Sequence, residues 1–521
     1  MPRVLITEKL ADGGLARIAE AGHKVDERLG LSPDELIEAI AGAAAVIIRS
    51  ETQITPEVLA AGRDLVVVGR AGIGLDNVDV PEATRLGVMV VNAPQSNILS
   101  AAEHAMALLL SMARNVPQAH GALVNGSWQR SRWTGVELHG KVLGILGLGR
   151  IGALVAQRAS AFGMHLVAYD PYVSPDRARQ MGVELMDVVA LFEAADFVTI
   201  HLPRTPETIG LVNDKLLAQA KPGLRLVNTS RGGIVDEAAL AEAIANGSVG
   251  GAALDVFAKE PTTSSPLFAL DSVVVTPHLG ASTAEAQDKA GDTIAEQVML
   301  ALAGEFVPYA VNVGATEASE TVRPFLPLAE RLGRIFGSLN DGLPAQLDVS
   351  FQGRLADYDT RILTLAVLKG LLAVGSHEPV SYVNAPTLAD ERGLVVRETK
   401  TSTAHDYTNL IEVRGGDHSL AATLFGLRDE ARLVMVDDHA VDMPPSRHML
   451  VVRNDDRPGM IGLVGEMLGA AGINIADMDV GRAASGEAAL MVVATDQPVK
   501  EDLVANLRGA AGILHVHTVT T

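Results

Sequence analysis

Residues 140–152 read Gly-Lys-Val-Leu-Gly-Ile-Leu-Gly-Leu-Gly-Arg-Ile-Gly, an apolar run of strand length that empties into glycines spaced G-x-G-x-x-G. Helical spacing follows over 153–162. Each glycine has its own reason to be there. Gly147 makes the tight turn, Gly149 lets the backbone approach a pyrophosphate, and Gly152 lets the following helix pack onto the sheet. The N-terminal N–H groups and dipole of that helix favour an anion. A second apolar run, 165–169, ends in Asp170, roughly 20 residues on, where an acid accepts the ribose hydroxyls of a dinucleotide. Its charge would repel a 2′-phosphate, favouring NAD over NADP; the competing reading is an Asp-Pro turn former. The position constrains the fold more than the motif does. A chain that begins with this Rossmann pattern carries the fingerprint in its first strand, so a nucleotide domain is inserted here into another domain.

Short β-branched runs at 4–6, 45–48, 65–68 and 88–91 precede the fingerprint. Others at 197–200, 226–227, 252–254 and 273–275 follow it, with helical patterning between them. That alternation predicts an α/β chain with two doubly wound parallel sheets. A long helix over 282–302 and a return segment over 304–313 make the first domain discontinuous, residues 1–98 and 283–316, around a nucleotide domain at 99–282. A polar stretch at 314–324 reads as a linker, and an α+β unit occupies 317–440. Pro444-Pro445 marks the next boundary. Residues 447–521 then read β-α-β-β-α-β, the ferredoxin-like order.

With 521 residues and 48% apolar content, the chain is long enough for three or four cores. No run approaches the length of a membrane span, and the N-terminus enters a strand without a signal-peptide pattern, so a cytoplasmic location is expected. The absence of cysteine excludes disulfides and thiolate chemistry, and no metal site is expected. A net charge of −21 opposes binding to nucleic acid or an anionic membrane.

Ligands of open parallel sheets bind beyond the carboxyl ends of the strands. Three motifs stand there: Asn228-Thr229-Ser230-Arg231-Gly232-Gly233, then Asp255-Val256-Phe257 with Glu260-Pro261, then Thr276-Pro277-His278-Leu279-Gly280-Ala281. Arg231 offers a planar fork for a carboxylate. His278 can exchange a proton with a hydroxyl or carbonyl oxygen as hydride moves, and Glu260, paired with it, would favour the imidazolium. Alone, Glu260 reads equally as a solvated loop acid and Arg231 as a turn arginine. The N-terminal sheet offers a second surface. Arg70-Ala71-Gly72-Ile73-Gly74 bares N–H groups that would form an anion nest. Arg49, Arg70, Arg130 and Arg132 are candidate counter-charges, and Asn97 closes the segment after 88–91. An interdomain cleft so lined suits a small-molecule substrate with a carboxylate and a phosphate.

With these motifs in this order, the chain resembles the D-isomer-specific 2-hydroxyacid dehydrogenases over its whole length, and within them the long bacterial type. The resemblance implies Arg231 for substrate binding, Glu260 as acid partner and His278 as proton donor. It places NAD contacts on Ile73, Arg150, Ile151, Asp170, Leu202, Thr229, Ser230, Arg231, Asp255, His278, Leu279, Gly280 and Ala281. It makes 317–440 an intervening domain and 447–521 an ACT domain, with Asn454, Asp456 and Asn474 receiving an L-serine effector. Asn454 departs from the family, where His or Tyr is usual. The implied activity is oxidation of 3-phospho-D-glycerate to 3-phosphohydroxypyruvate, the first step of L-serine synthesis, by a homotetramer. Reduction of 2-oxoglutarate is compatible as a side activity. Two alternatives share the catalytic half: a hydroxypyruvate or glyoxylate reductase, and a non-catalytic NAD-sensing binding protein.

Overall fold

The computed structural model describes residues 1–314, 319–340, 342–376, 380–404, 406–426, 428–482 and 488–520. Residues 315–318 of the expected linker, and with them the expected boundary at 316/317, lie outside the described residues. The chain forms two compact units: Met1–Lys9, Leu15–Asn92 and Ile294–Thr521 in one, Leu10–Gly14 and Ala93–Thr293 in the other.

The first unit opens with β1 (Arg3–Ile6), β2 (Lys24–Glu27), β3 (Ala45–Ile48), β4 (Val67–Arg70) and β5 (Met89–Asn92). They form one parallel sheet in the order β2-β1-β3-β4-β5. β3 and β5 are buried at every position, which is why they read as continuous apolar runs rather than alternating ones. β2, an edge strand with no buried residue, carried no such signal. β4 begins two residues later than the run at 65–68, so Arg70 ends the strand rather than following it. The return segment pairs with β5: Val311 N–H donates to Val90 O at 2.9 Å, and Asn312 Oδ1 accepts from Val90 N–H at 2.9 Å.

The second unit holds β6 (Val142–Leu146), β7 (His165–Tyr169), β8 (Val183–Leu185), β9 (Phe197–Ile200), β10 (Leu224–Asn228), β11 (Val249–Leu254) and β12 (Val273–Val275). All run parallel, in the order β12-β11-β10-β9-β6-β7-β8. This is the Rossmann order with one strand added, and the order reverses between β6 and β9, where such sheets bind ligands. The helices Ile98–Ala113 and Arg150–Ala161 bury Ala105, Leu109, Met112 and Val155 against Leu143 and Ile145 on one face. Leu191, Phe192, Leu217 and Leu240 cover the other.

Two further sheets complete the first unit. β13 (Gln346–Gly353), β14 (Val395–Thr401), β15 (Asn409–Gly415), β16 (His418–Phe425), β17 (Glu430–Val436) and β18 (His439–Met443) form a mixed sheet, order β14-β13-β15-β16-β17-β18. Its helices Leu326–Leu339 and Arg361–Ala373 meet so closely that a Cβ on Gly333 would lie 2.0 Å from Val367 O. β19 (His448–Asp455), β20 (Ile475–Arg482), β21 (Ala488–Thr495) and β22 (Ile513–Thr520) form an antiparallel sheet, order β20-β21-β19-β22, the ferredoxin-like arrangement. Helices Met460–Ala470 and Glu501–Arg508 bury Val464, Leu468, Val504 and Leu507 against Leu450, Val452 and Met491. Among the described residues no helix is long and apolar enough to cross a membrane.

Candidate active site

Adjacent strands β10, β11 and β12 deliver three turns to one end of the second sheet, and backbone hydrogen bonds lace them together. Asp255 N–H donates to Asn228 O at 2.9 Å, and His278 N–H donates to Asp255 O at 2.8 Å. The first turn is closed by Asn228, whose Oδ1 accepts from Ser230 N–H and Oγ–H and whose Nδ2 donates to Arg231 O at 3.0 Å. Arg231 Nη1 donates to Ser230 O at 2.7 Å. Gly232 seats this turn on the next one: a Cβ there would lie 1.8 Å from Phe257 O, so only glycine fits. The structure thus brings the Arg231 turn against the loop that carries Glu260.

Glu260 bridges the second turn to the third. Its Oε1 accepts from Phe257 N–H at 2.8 Å, and its Oε2 lies 2.5 Å from His278 Nδ1. Burial pushes the Glu260 carboxyl up, but the hydrogen bond from His278, the Phe257 N–H and the His278 charge outweigh it and hold it below the usual carboxylate range. The imidazole stays partly open to solvent, while its backbone sits at φ +55°, a conformation side-chain-bearing residues rarely adopt. Asp255, fully buried, supplies the constraint: its carboxylate accepts from Leu279 N–H at 2.7 Å, Gly280 N–H at 2.8 Å and Thr276 Oγ–H at 2.6 Å. Burial pushes this carboxyl up as well, and the hydrogen bonds from His104, Thr276 and Leu279 bring it down further than burial raises it.

The fingerprint lies at the head of β6. Gly147 adopts φ +92°, and a Cβ there would meet His201 O at 2.6 Å and Leu202 Cδ2 at 3.0 Å. Gly152 packs on Gly147 O, 2.1 Å from its would-be Cβ. Gly149 is the N-cap of Arg150–Ala161 without a side-chain cap bond, and the space on its Cβ side is open within 4 Å. Asp170 accepts from Leu148 N–H at 2.8 Å and Tyr172 N–H at 2.9 Å, which fixes its carboxylate beside the turn. Arg150 Nη1 reaches Pro94 O at 3.5 Å, and Ile151 is half-buried behind it. Thr229 Oγ1 and Asn97 Oδ1 are buried without a hydrogen-bond partner among the described residues. An open glycine at an uncapped helix end and two orphaned polar atoms fit a polar, anionic cofactor.

On the first unit the expected nest is built differently. Ala71 N–H is taken by Ile48 O and Gly72 N–H by Arg70 O, both at 2.8 Å, so two of the N–H groups expected to face an anion are already bonded. Arg70 Nη1 lies where Gly72 would carry a Cβ, and Ile73 O accepts from Asn92 Nδ2 at 2.7 Å. Four consecutive N–H groups do converge on a carboxylate one loop away: those of Arg49, Ser50, Glu51 and Thr52 donate to Glu8 at 2.8–3.3 Å. Nothing in the sequence pattern singled out Glu8. Gly74 is half-buried after Ile73, and Arg130 is exposed. Arg132 is engaged by Asp271 and by the Trp133 ring.

At the C-terminal sheet Asn454 is buried in β19, its Nδ2 donating to Asp455 O at 2.6 Å and its Oδ1 without a partner among the described residues. Asp456 lies 3.4 Å from Arg482 Nε, and Asn474 N–H donates to Asp496 at 3.2 Å.

The fold and this site define the D-isomer specific 2-hydroxyacid dehydrogenase class: the profile of its NAD binding domain matches residues 106–280. The profile of the D-3-phosphoglycerate dehydrogenase intervening domain matches 321–437 and that of the ACT domain 448–512. The chain is 47% identical over 526 residues to D-3-phosphoglycerate dehydrogenase of Mycobacterium tuberculosis, covering 100% of this chain and 99% of the relative. To that of Mycobacterium leprae it is 48% identical over 510 residues, covering 96% of each. A solved structure from Thermus thermophilus superposes with a TM-score of 0.56 at 35% identity, over 59% of this chain and 99% of that one. The chain belongs to the D-3-phosphoglycerate dehydrogenase family.

Proposed function

We propose that the chain oxidises 3-phospho-D-glycerate to 3-phosphohydroxypyruvate with NAD, the first step of L-serine synthesis. The observation that carries this reading is the 2.5 Å His278–Glu260 pair on a loop locked by buried Asp255, beside the Arg231 turn. Bound NAD supplies the hydride acceptor. His278 Nδ1 donates to Glu260, which leaves Nε2 to take the proton from the C2 hydroxyl as the C2 hydride departs. Glu260 favours the imidazolium so formed, and proton transfer by such a group is worth about 10² to 10⁴ in rate. Arg231 holds the carboxylate and polarises the developing oxo group. Thr229, Asp170 and the N–H groups around Gly149 hold the cofactor. To Arg49 and Arg70 we assign the phosphate. NADH formation from 3-phospho-D-glycerate, D-glycerate and D-lactate tests the reading: the phosphorylated acid should lead, and no turnover with it would overturn the proposal.

The ACT match supports L-serine as an effector, received by Asp456 and Asn474. Asn474→Ala should then relieve inhibition by L-serine without changing the uninhibited rate. We further infer a cytoplasmic homotetramer.

A further inference from the structure

The helix Ile98–Ala113 brings an imidazole to the same end of the sheet, and the proposed reaction leaves it without a task. His104 Nε2 lies 3.1 Å from Thr276 Oγ1 and 3.1 Å from Asp255 Oδ1. Thr276 has one hydroxyl hydrogen, and at 2.6 Å from Asp255 Oδ1 it is committed to that carboxylate. Both oxygens therefore present lone pairs to His104. The imidazole must donate, so Nε2 carries the hydrogen and shares it between them.

The carboxylate it reaches is the one that fixes the His278 loop. Leu279 and Gly280 N–H donate to the two Asp255 oxygens, and His278 N–H donates to the Asp255 carbonyl. His278 is thus held on its own amide and on the next two. Its φ of +55° is kept only where the surroundings over-determine it. A buried carboxylate rotated out of this plane would release one amide and with it the setting of the imidazole.

We propose that His104 is a positioning residue for the reaction: by donating to Asp255 and Thr276 it fixes the carboxylate plane that holds His278 against Glu260. This rests on His278 as the proton acceptor. His104 acts through Asp255 and meets no reacting atom. The competing account is a ring that merely fills space between helix and sheet, and the two differ in the N–H alone.

His104→Phe keeps a ring and removes the donor; His104→Gln restores a donor without a ring. The proposal expects His104→Phe to lower kcat roughly 100-fold, the scale of an ångström-level misplacement, with KM and NAD affinity little changed. His104→Gln should recover most of that loss. Thr276→Val should lower kcat too, and the double variant with His104→Phe should fall short of the product of the single effects, because both act on one carboxylate. Amide exchange at Leu279 and Gly280, read without substrate, should quicken in His104→Phe and slow again in His104→Gln. If His104→Phe fails to fold, Thr276→Val and His104→Gln carry the same comparison. An unchanged kcat in His104→Phe, or Gln as damaging as Phe with amide exchange unmoved, overturns the proposal. If the wild type does not oxidise 3-phospho-D-glycerate, the functional reading fails while amide exchange still decides the clamp.

Discussion

A histidine at φ +55° is held there by bonds it does not make through its ring. That separation of backbone clamp from reacting imidazole predicts how His278→Ala behaves: turnover should fall by about 10² to 10⁴, while NAD affinity by fluorescence titration stays near wild type. Equal loss of both would assign His278 to binding. Glu260 carries a pH signature. Its folded pKa is lowered, so the stability it adds is fully present above the ordinary carboxylate value of about 4.3 and is lost as pH falls through the lower folded value. The melting difference between wild type and Glu260→Gln should close as pH falls through the carboxylate range; a gap that widens there contradicts the pairing. The placement of Arg231, Glu260 and His278 at one end of the sheet was legible because each lies in the turn that follows an apolar run. His104 and Glu8 were not. Their partners are backbone amides, or side chains some 150 residues on, and no local period encodes such separations.

Elements were legible where burial writes a pattern. Short β-branched runs announced β3, β5 and β9, which are buried throughout, whereas β2 and the three-residue β8 at the sheet edges left too little apolar sequence to read. The fingerprint was legible for a steric reason that can be tested. Gly152→Ala puts a Cβ 2.1 Å from Gly147 O, and the forced shift should cost about 1–3 kcal/mol of stability. NAD affinity should fall with it, because the displaced turn is the one that lets the backbone approach the pyrophosphate. An unchanged denaturation midpoint would mean that the turn has slack the geometry does not show.

At the scale of the whole molecule, the helix Val116–Val124 has no buried residue, and beyond it Trp128 is 81% exposed. Val116, Leu123 and Val124 are 52%, 55% and 67% exposed, an apolar surface of the kind that marks an interface. The inferred tetramer is expected to cover it, so Leu123→Asp should lower the mass seen by light scattering, and an unaltered mass would place assembly elsewhere. The most direct measurement is NADH oxidation by the full chain with phosphohydroxypyruvate, hydroxypyruvate and glyoxylate, each with and without L-serine. Phosphohydroxypyruvate should give the highest kcat/KM, and L-serine should slow it. Absence of turnover with phosphohydroxypyruvate, or a preference for glyoxylate or hydroxypyruvate, would contradict the account.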